Sequence, residues 1–354
     1  MNKNIRIKDI AQLAGVSVGT VDRVLHNRGQ VSREAYNKVM EILEKTGYKP
    51  NLIARTLGSN KTYSIAALIP DPSQDEYWGL SGQGIQHAIE EWLQYGVRVE
   101  PYFFDLYDTA SFRAHSERVL SSNPDGVLAA PIFHDEATRF FEICHGREIP
   151  FVVFNNNVPE ARPISFIGQD LHQSGRVAAE LLHLNRQPPA LFAILHIYDD
   201  IHRSTHLWEK ERGFKEYFDN LNHGQFDVLS LDLNYTHEPT LKNELAEVMS
   251  RPDLKGILVT TSRGASIVSS MLEKRGKDDI RLVAYDLLRQ NLHYLKKGVI
   301  DFLINQNVRQ QAFTGVGQLA NRLLFNKKVP PTYLFPLEII TRQNLESYLS
   351  SDLH

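Results

Sequence analysis

Residues 7–33 read IKDIAQLAGVSVGTVDRVLHNRGQVSR, and their spacing predicts a helix, a tight turn and a second helix. Ile7, Ile10, Ala11 and Ala14 recur at helical intervals and share one face. Gly15 supplies a left-handed turn that a side chain would resist. Ser17 is placed to cap a second helix running to about His26, with Val21, Val24 and Leu25 turned inward. Ser32 can cap a third helix with Tyr36, Val39, Met40 and Leu43 on its apolar face and Gly47 at its end. A second helix of this kind fits a DNA major groove, its first turns against base edges. Val18, Gly19, Asp22 and Arg23 then point outward, and Arg23 is the strong bidentate donor suited to guanine. Ser17, Thr20 and Asn27 are short polar groups suited to phosphates. A three-helix bundle that binds protein is the alternative reading.

Charge favours the first reading. Residues 1–60 carry ten basic and five acidic side chains, a net of +5, and the rest carry 29 basic against 37 acidic, a net of −8. A basic head on an acidic body is the footprint of a nucleic-acid module. At 354 residues the chain predicts two or three structural units. Cys144 is its only cysteine, which excludes a disulfide framework and a cysteine metal cluster and favours a reducing compartment. MNKNIRIKD has no apolar stretch of a signal peptide, and no run approaches the length of a membrane span. A cytoplasmic protein without membrane contact is expected.

After the head comes YKPNLIARTLGSNKT (48–62). Pro50 stops the preceding element, and Asn51 can cap a short helix through Leu57, closed by Gly58. Such a helix is too short to stand alone and would leave Leu52, Ile53 and Leu57 uncovered. A hinge that folds on DNA and wedges a leucine into the minor groove solves this, and a plain linker is the alternative.

The stretch 7–32, followed by GYKPNLIARTLGSNKTYSIAALIPD (47–71), closely resembles the lac-repressor (LacI/GalR) family of transcription regulators. The resemblance implies a homodimer whose two recognition helices read a pseudo-palindrome in double-stranded operator DNA. It also implies paired hinge helices, in which Asn51, Ala54, Arg55 and Leu57 meet the minor groove. Asp22 stands where the family usually has serine, and Arg6 where it often has threonine.

The body, 61–354, alternates strand-like and helix-like runs. Apolar runs fall at 63–70, 97–104, 125–131, 150–155, 190–197, 255–261, 280–285 and 301–305. Amphipathic segments lie between them at 80–95, 109–122, 171–185, 207–221, 264–275 and 308–325. This pattern predicts doubly wound parallel sheets covered by helices, in two similar lobes. The fold class expected is a small all-α helix-turn-helix head plus an α/β body.

In such sheets ligands bind beyond the carboxyl ends of strands. The first strand is followed by Asp75, Glu76, Tyr77 and Trp78. Flat rings beside carboxylates suit a sugar; the plain alternative is that the aromatics anchor the next helix. Later strand ends carry Asp105, then His134 after Phe133, then Asn155, Asn156 and Asn157, then Ser262 and Arg263, then Asp286 and Gln306. The set is rich in partners for hydroxyls and poor in nucleophile–base pairs, so no enzyme is expected, although strand-end loops are polar in general. Similarity to the periplasmic-sugar-binding-like (type I) core of the same family implies three chain crossings between lobes. It puts lobe one at about 61–167 and 293–328, lobe two at about 168–292 and 329–345, and a tail at 346–354. It further implies that Tyr77, Trp78, Asn155, Asp286 and Gln306 line an effector cleft. Lys210 stands in place of the family's usual arginine, and Ser262-Arg263 in place of its usual Asn-Asp pair.

His196, His202 and His206 invite a metal reading, but no cysteine or carboxylate completes a signature, and His206 is expected in the cleft instead. GLSGQG at 79–84 has its glycines in the wrong order for a dinucleotide fingerprint. No cofactor is expected. The resulting expectation is a regulator whose operator affinity responds to a small carbohydrate; a sugar-binding protein without catalysis is the alternative. No leucine heptad follows Arg342, which favours a dimer over a tetramer.

Overall fold

The computed structural model describes residues 7–25, 29, 31–46, 61–198, 205–221, 226–234, 237–276 and 279–351. It divides into two units, Met1–Lys61 and Thr62–His354. The first holds α1 (Ile7–Ala14), α2 (Val18–Leu25) and α3 (Arg33–Thr46). Gly15 takes φ +65, and the Ser17 hydroxyl accepts from the Thr20 amide at 3.1 Å, capping α2. Ser32 does the same for α3 through the Ala35 amide at 3.3 Å. Ile10, Val21 and Val39 are fully buried at the centre of this unit. Tyr36, expected on the inner face of α3, is exposed. The stripe that packs runs through Val39, Met40, Ile42 and Leu43, which leaves Tyr36 on its margin. His26, Asn27, Asn51, Ala54, Arg55 and Leu57 lie outside the described residues.

The second unit is two α/β lobes. The first sheet has strand order β11-β5-β4-β3-β1-β2, built from β1 (Tyr63–Pro70), β2 (Val97–Phe104), β3 (Gly126–Ala129), β4 (Phe151–Phe154), β5 (Ser165–Gly168) and β11 (Thr332–Leu334). Its pairings are all parallel. Helices α4 (Glu76–Leu93), α5 (Thr109–Ser121), α6 (His134–Gly146) and α12 (Val308–Phe325) cover it. The second sheet has order β12-β10-β9-β8-β6-β7. Its strands are β6 (Ala190–Tyr198), β7 (Phe226–Asn234), β8 (Leu254–Val259), β9 (Arg281–Tyr285), β10 (Phe302–Asn305) and β12 (Glu338–Ile340), the last antiparallel to β10. Around it lie α7 (Leu171–His183), α8 (Thr205–Asp219), α9 (Glu238–Met249), α10 (Gly264–Arg275), α11 (Arg289–Lys296) and α13 (Leu345–Ser351).

β1 is buried from Ile65 to Pro70 because both faces of a central strand are covered, whereas the edge strand β2 alternates buried and exposed positions. The expected crossing points need correction. The chain stays in lobe two through Asn305, since α11 is the crossover that lays β10 parallel beside β9. It returns to lobe one for α12 and also for β11, which pairs with β5, and re-enters lobe two at β12. Residues 293–305 therefore belong to lobe two and 332–334 to lobe one, the reverse of the expected division. The chain passes between lobes three times. Strands β5, β7, β11 and β12 lie outside the expected runs, and α13 reaches into the expected tail at 346–354.

Candidate functional site

The parallel strands of each sheet aim their carboxyl ends at the junction of the two lobes, and most of the candidate effector residues sit there. Asp75 is the N-cap of α4, where its Oδ1 accepts from the Tyr77 and Trp78 amides at 2.8 and 3.3 Å. Tyr77 follows directly, buried, with its hydroxyl bonded to the Asn155 amide nitrogen. Burial and the nearby Asp286 push the Tyr77 phenol well above its ordinary pKa, so it stays a neutral hydroxyl, accepting from Asn155 Nδ2. Trp78 packs edge-on against Tyr77 and Phe154, at 5.3 and 6.2 Å between centroids, and belongs to the core of lobe one. The helix-anchor reading thus describes Trp78 better than a ligand platform does.

Asp286 is the hub on the lobe-two side. It is 1% exposed, takes φ +66, and accepts from the Ser262 hydroxyl, the Gln306 amide at 2.9 Å and Gln306 Nε2 at 2.7 Å. Burial raises its pKa, and these hydrogen bonds together with Lys210 pull the other way. Asn291 ties the same turn together through the carbonyls of Ser262, Tyr285 and Asp286. Gln311 joins the lobes from α12, donating to the Gln306 carbonyl at 2.7 Å and accepting from the Asn155 amide at 3.2 Å.

Lys210 is buried in α8, its Nζ 3.6 Å from the Tyr285 ring centroid and 3.1 Å from the Thr260 carbonyl it donates to. Burial lowers its pKa to about 8, with Asp286 opposing the shift. Its position depends on how closely α7 and α8 approach. A Cβ on Gly175 would fall 1.9 Å from the Lys210 carbonyl oxygen, and one on Gly213 would fall 1.9 Å from that of His172. His196, once a metal candidate, engages both ring nitrogens, with Glu211 and Thr260 each at 2.8 Å. Among the described residues no group of three or more His, Cys, Asp and Glu side chains could hold a metal ion.

Two arginines of lobe two reach across to lobe one. Arg263 donates through Nη1 to the Tyr107 hydroxyl at 2.6 Å, and its Nε lies 3.5 Å from Asp75 Oδ2. Arg289 gives Glu76 Oε1 both its backbone amide at 2.9 Å and its Nε at 3.2 Å. Asp105 does not face a vacancy either, since it accepts from Gln74 Nε2 and the Tyr107 amide. His134 pairs with Glu160 at 2.7 Å within lobe one, and Asn157 is exposed. The side chain of His206 lies outside the described set. Sequence reasoning did not single out Tyr107, Gln311 or Arg289. The signal for Tyr107 was its place two residues beyond Asp105; the other two sit in helical turns that carry no strand-end marker.

On the head, Ser17, Val18, Gly19 and Arg23 are exposed along α2, with Thr20 and Asp22 half-buried. Arg23 Nε donates to the Gly19 carbonyl at 3.1 Å, which folds the guanidinium back along the helix.

Comparison with known proteins fits both units. Residues 6–51 match the model for bacterial regulatory proteins of the lacI family, and residues 65–328 match the periplasmic binding protein domain. The ribose operon repressor of Halalkalibacterium halodurans is 25% identical over 98% of both chains. Catabolite control protein A of Staphylococcus aureus is 41% identical over 53% of this chain and 55% of its own. A solved LacI transcriptional regulator from Bacteroides fragilis superposes with a TM-score of 0.72 at 29% identity, over 81% of this chain and all of that one. A glucose-galactose binding protein from Geobacillus stearothermophilus shares the fold, with a TM-score of 0.70 at 18% identity over 81% of this chain and 99% of its own. The chain belongs to the periplasmic-binding-protein domain family through its body and carries a lacI-family regulatory domain at its head, the make-up of a DNA-binding transcription regulator.

Proposed function

We propose that this regulator is a homodimeric repressor whose operator affinity is set by a small carbohydrate bound between the lobes. The observation that carries the reading is the pairing of a capped, outward-facing α2 with a body whose two lobes meet through polar side chains. In the head, Arg23 reads a base, while Ser17 and Thr20 contact phosphates. Asn51, Ala54, Arg55 and Leu57 form the hinge that enters the minor groove when two chains pair on a pseudo-palindrome. In the body, Tyr77, Asn155, Lys210, Asp286 and Gln306 surround the effector.

The mechanism is linkage. An effector that binds one arrangement of the lobes better than another changes the separation of the two heads, and with it the pairing of the hinges. A coupling of about 1–3 kcal/mol alters operator affinity by roughly 5–150-fold. This reading contains no catalytic step, and the engagement of Asp75, Glu76, Asp105 and Asp286 in caps and networks supports it. Action on DNA places its work in the cytoplasm in this reading. Among the described residues no helix is long and apolar enough to cross a membrane.

Selection of bound sequences from random duplex DNA, at fixed salt, with and without a sugar panel, tests the reading. A pseudo-palindrome whose enrichment shifts with one sugar supports it. Enrichment that ignores every sugar would detach the body from carbohydrate sensing.

A further inference from the structure

The three passages between the lobes are short, at 169–170, 306–307 and 335–337. Each has its own backbone torsions to turn about. Left untied, they would let the lobes twist and slide as well as bend.

The two sheets tie the passages at their ends. On the lobe-one side β11 pairs with β5 as far as Leu334 and Gly168, and the Phe335 amide donates to the Gly168 carbonyl at 2.8 Å. On the lobe-two side β12 pairs with β10 at Glu338 and Asn305, and Asn305 Nδ2 donates to Glu338 Oε2 at 2.8 Å. Between these ends stands Gln169, which is 5% exposed. Its Nε2 donates to the Asn305 carbonyl at 2.9 Å and to the Pro336 carbonyl at 2.8 Å. One amide in the first passage thus holds the start of the second and the middle of the third. Among the described residues no other side chain bonds to both of the other passages.

The amide can face only one way, because reversing it would set its oxygen against two carbonyl oxygens. Its Oε1 is buried with no hydrogen-bond partner. Methionine would fill the same space without an unmet acceptor, so the residue keeps its place by its two donated bonds and not by packing.

We propose that Gln169 is the pin of the lobe hinge. By holding all three passages at one level it suppresses twist and slide and leaves bending as the motion an effector can drive. It is a positioning residue and makes no effector contact. The proposal rests on the linkage reading above and deepens it, since bending about a fixed axis turns movement of the lobes into a defined change in head separation.

Double electron–electron resonance on the full chain tests it. Spin labels go on Ser121→Cys and Ser250→Cys, exposed positions at the C-terminal ends of α5 and α9, one in each lobe. A Cys144→Ala background removes the native thiol, and dilution with unlabelled chain keeps each measured distance within one molecule. In the free protein Gln169→Met, which keeps the volume and cannot donate, should widen the distance distribution about two-fold, because the passages regain their separate torsions. Gln169→Asn, one methylene shorter, can hold one carbonyl and should widen it less. Amide exchange in β1 and β8, inside the two cores, should stay at the wild-type rate. An unchanged distribution in Gln169→Met overturns the proposal; if that variant does not fold, an unchanged distribution in Gln169→Asn does so. Widening accompanied by faster exchange in both cores also overturns it, by making Gln169 a general stability contact. Ribose, glucose, galactose and sucrose are then added to the wild type. A widened variant beside a wild type that no sugar shifts would leave the pin standing and sink the carbohydrate reading instead.

Discussion

Replacing Lys210 with Met isolates the cost of holding one charge inside lobe two. The residue is 1% exposed, and burial brings its pKa from 10.5 to about 8 against the pull of Asp286. Below about pH 8 the folded and unfolded chains both carry the proton, and the folded state bears the whole cost of the buried charge. Between about pH 8 and about pH 10.5 the folded chain releases its proton first, so wild-type stability rises across that window. A shift of this size corresponds to about 3 kcal/mol. Methionine fills the space of the lysine stem without charge but leaves Asp286 lacking its cation. The net gain expected at neutral pH is therefore smaller, about 1–2 kcal/mol. Urea unfolding of the full chain, followed by far-UV circular dichroism near neutral pH and at about pH 9.5, measures both effects. The variant should be the more stable near neutrality and should lack the rise with pH that Lys210 gives the wild type. A variant about 1 kcal/mol less stable, with the wild-type pH profile intact, would refute the reasoning. It would mean that the Thr260 and Tyr285 contacts outweigh desolvation.

Arg23→Ala should relax one operator position at a cost of about 1–3 kcal/mol; equal weakening on every sequence, read by competition binding, would make Arg23 a phosphate contact. Ser17→Ala removes the cap of α2 and should cost the head about 0.5–2 kcal/mol, seen as faster hydrogen exchange in 18–25. Trp78→Ala should destabilise lobe one by about 3–5 kcal/mol, since the ring is packed against Tyr77 and Phe154; a normal urea midpoint with a lost effector response would restore it as a ligand platform. Tyr77→Phe keeps the packing and removes only the bond to Asn155, so a changed effector affinity at near-constant stability is expected.

The head was legible almost residue by residue because its signals are local: a capping serine, a glycine with φ +65, and apolar residues at helical intervals. Tyr63–Pro70 and Val97–Phe104 were equally plain, one a continuous apolar run and the other an alternation. What the sequence withheld was neighbourhood. Nothing in TYL (332–334) says that it pairs with β5 rather than joining the later β12 in the second sheet, so the lobe boundaries at the C-terminal end are not legible in the sequence. The site divides in the same way. Asn155, Asp286 and Gln306 are recognisable as strand-end polar residues, and the fold brings Tyr77 to the first and joins Ser262 and Gln306 at Asp286. His134 carried the same marker and turned instead to Glu160. That Trp78 faces the core follows from the Asp75 cap, which fixes the first turn of α4 and with it the direction of each ring.

The glycines between α7 and α8 carry a consequence for any mutational map of this regulator. At Gly175 and Gly213 a single methyl group would run into a carbonyl oxygen of the facing helix, and one of those oxygens belongs to Lys210. Widening the gap to admit it would slide α8, and the lysine with it, away from Thr260 and Tyr285. In a saturation screen scored on effector response, both positions would look as intolerant as residues that touch the ligand, although neither has a side chain with which to do so. Such a screen would outline a pocket one helix deeper than the real one. The discrepancy would be diagnostic: at these two positions every replacement should fail alike, whereas at a true contact position some chemistries should survive.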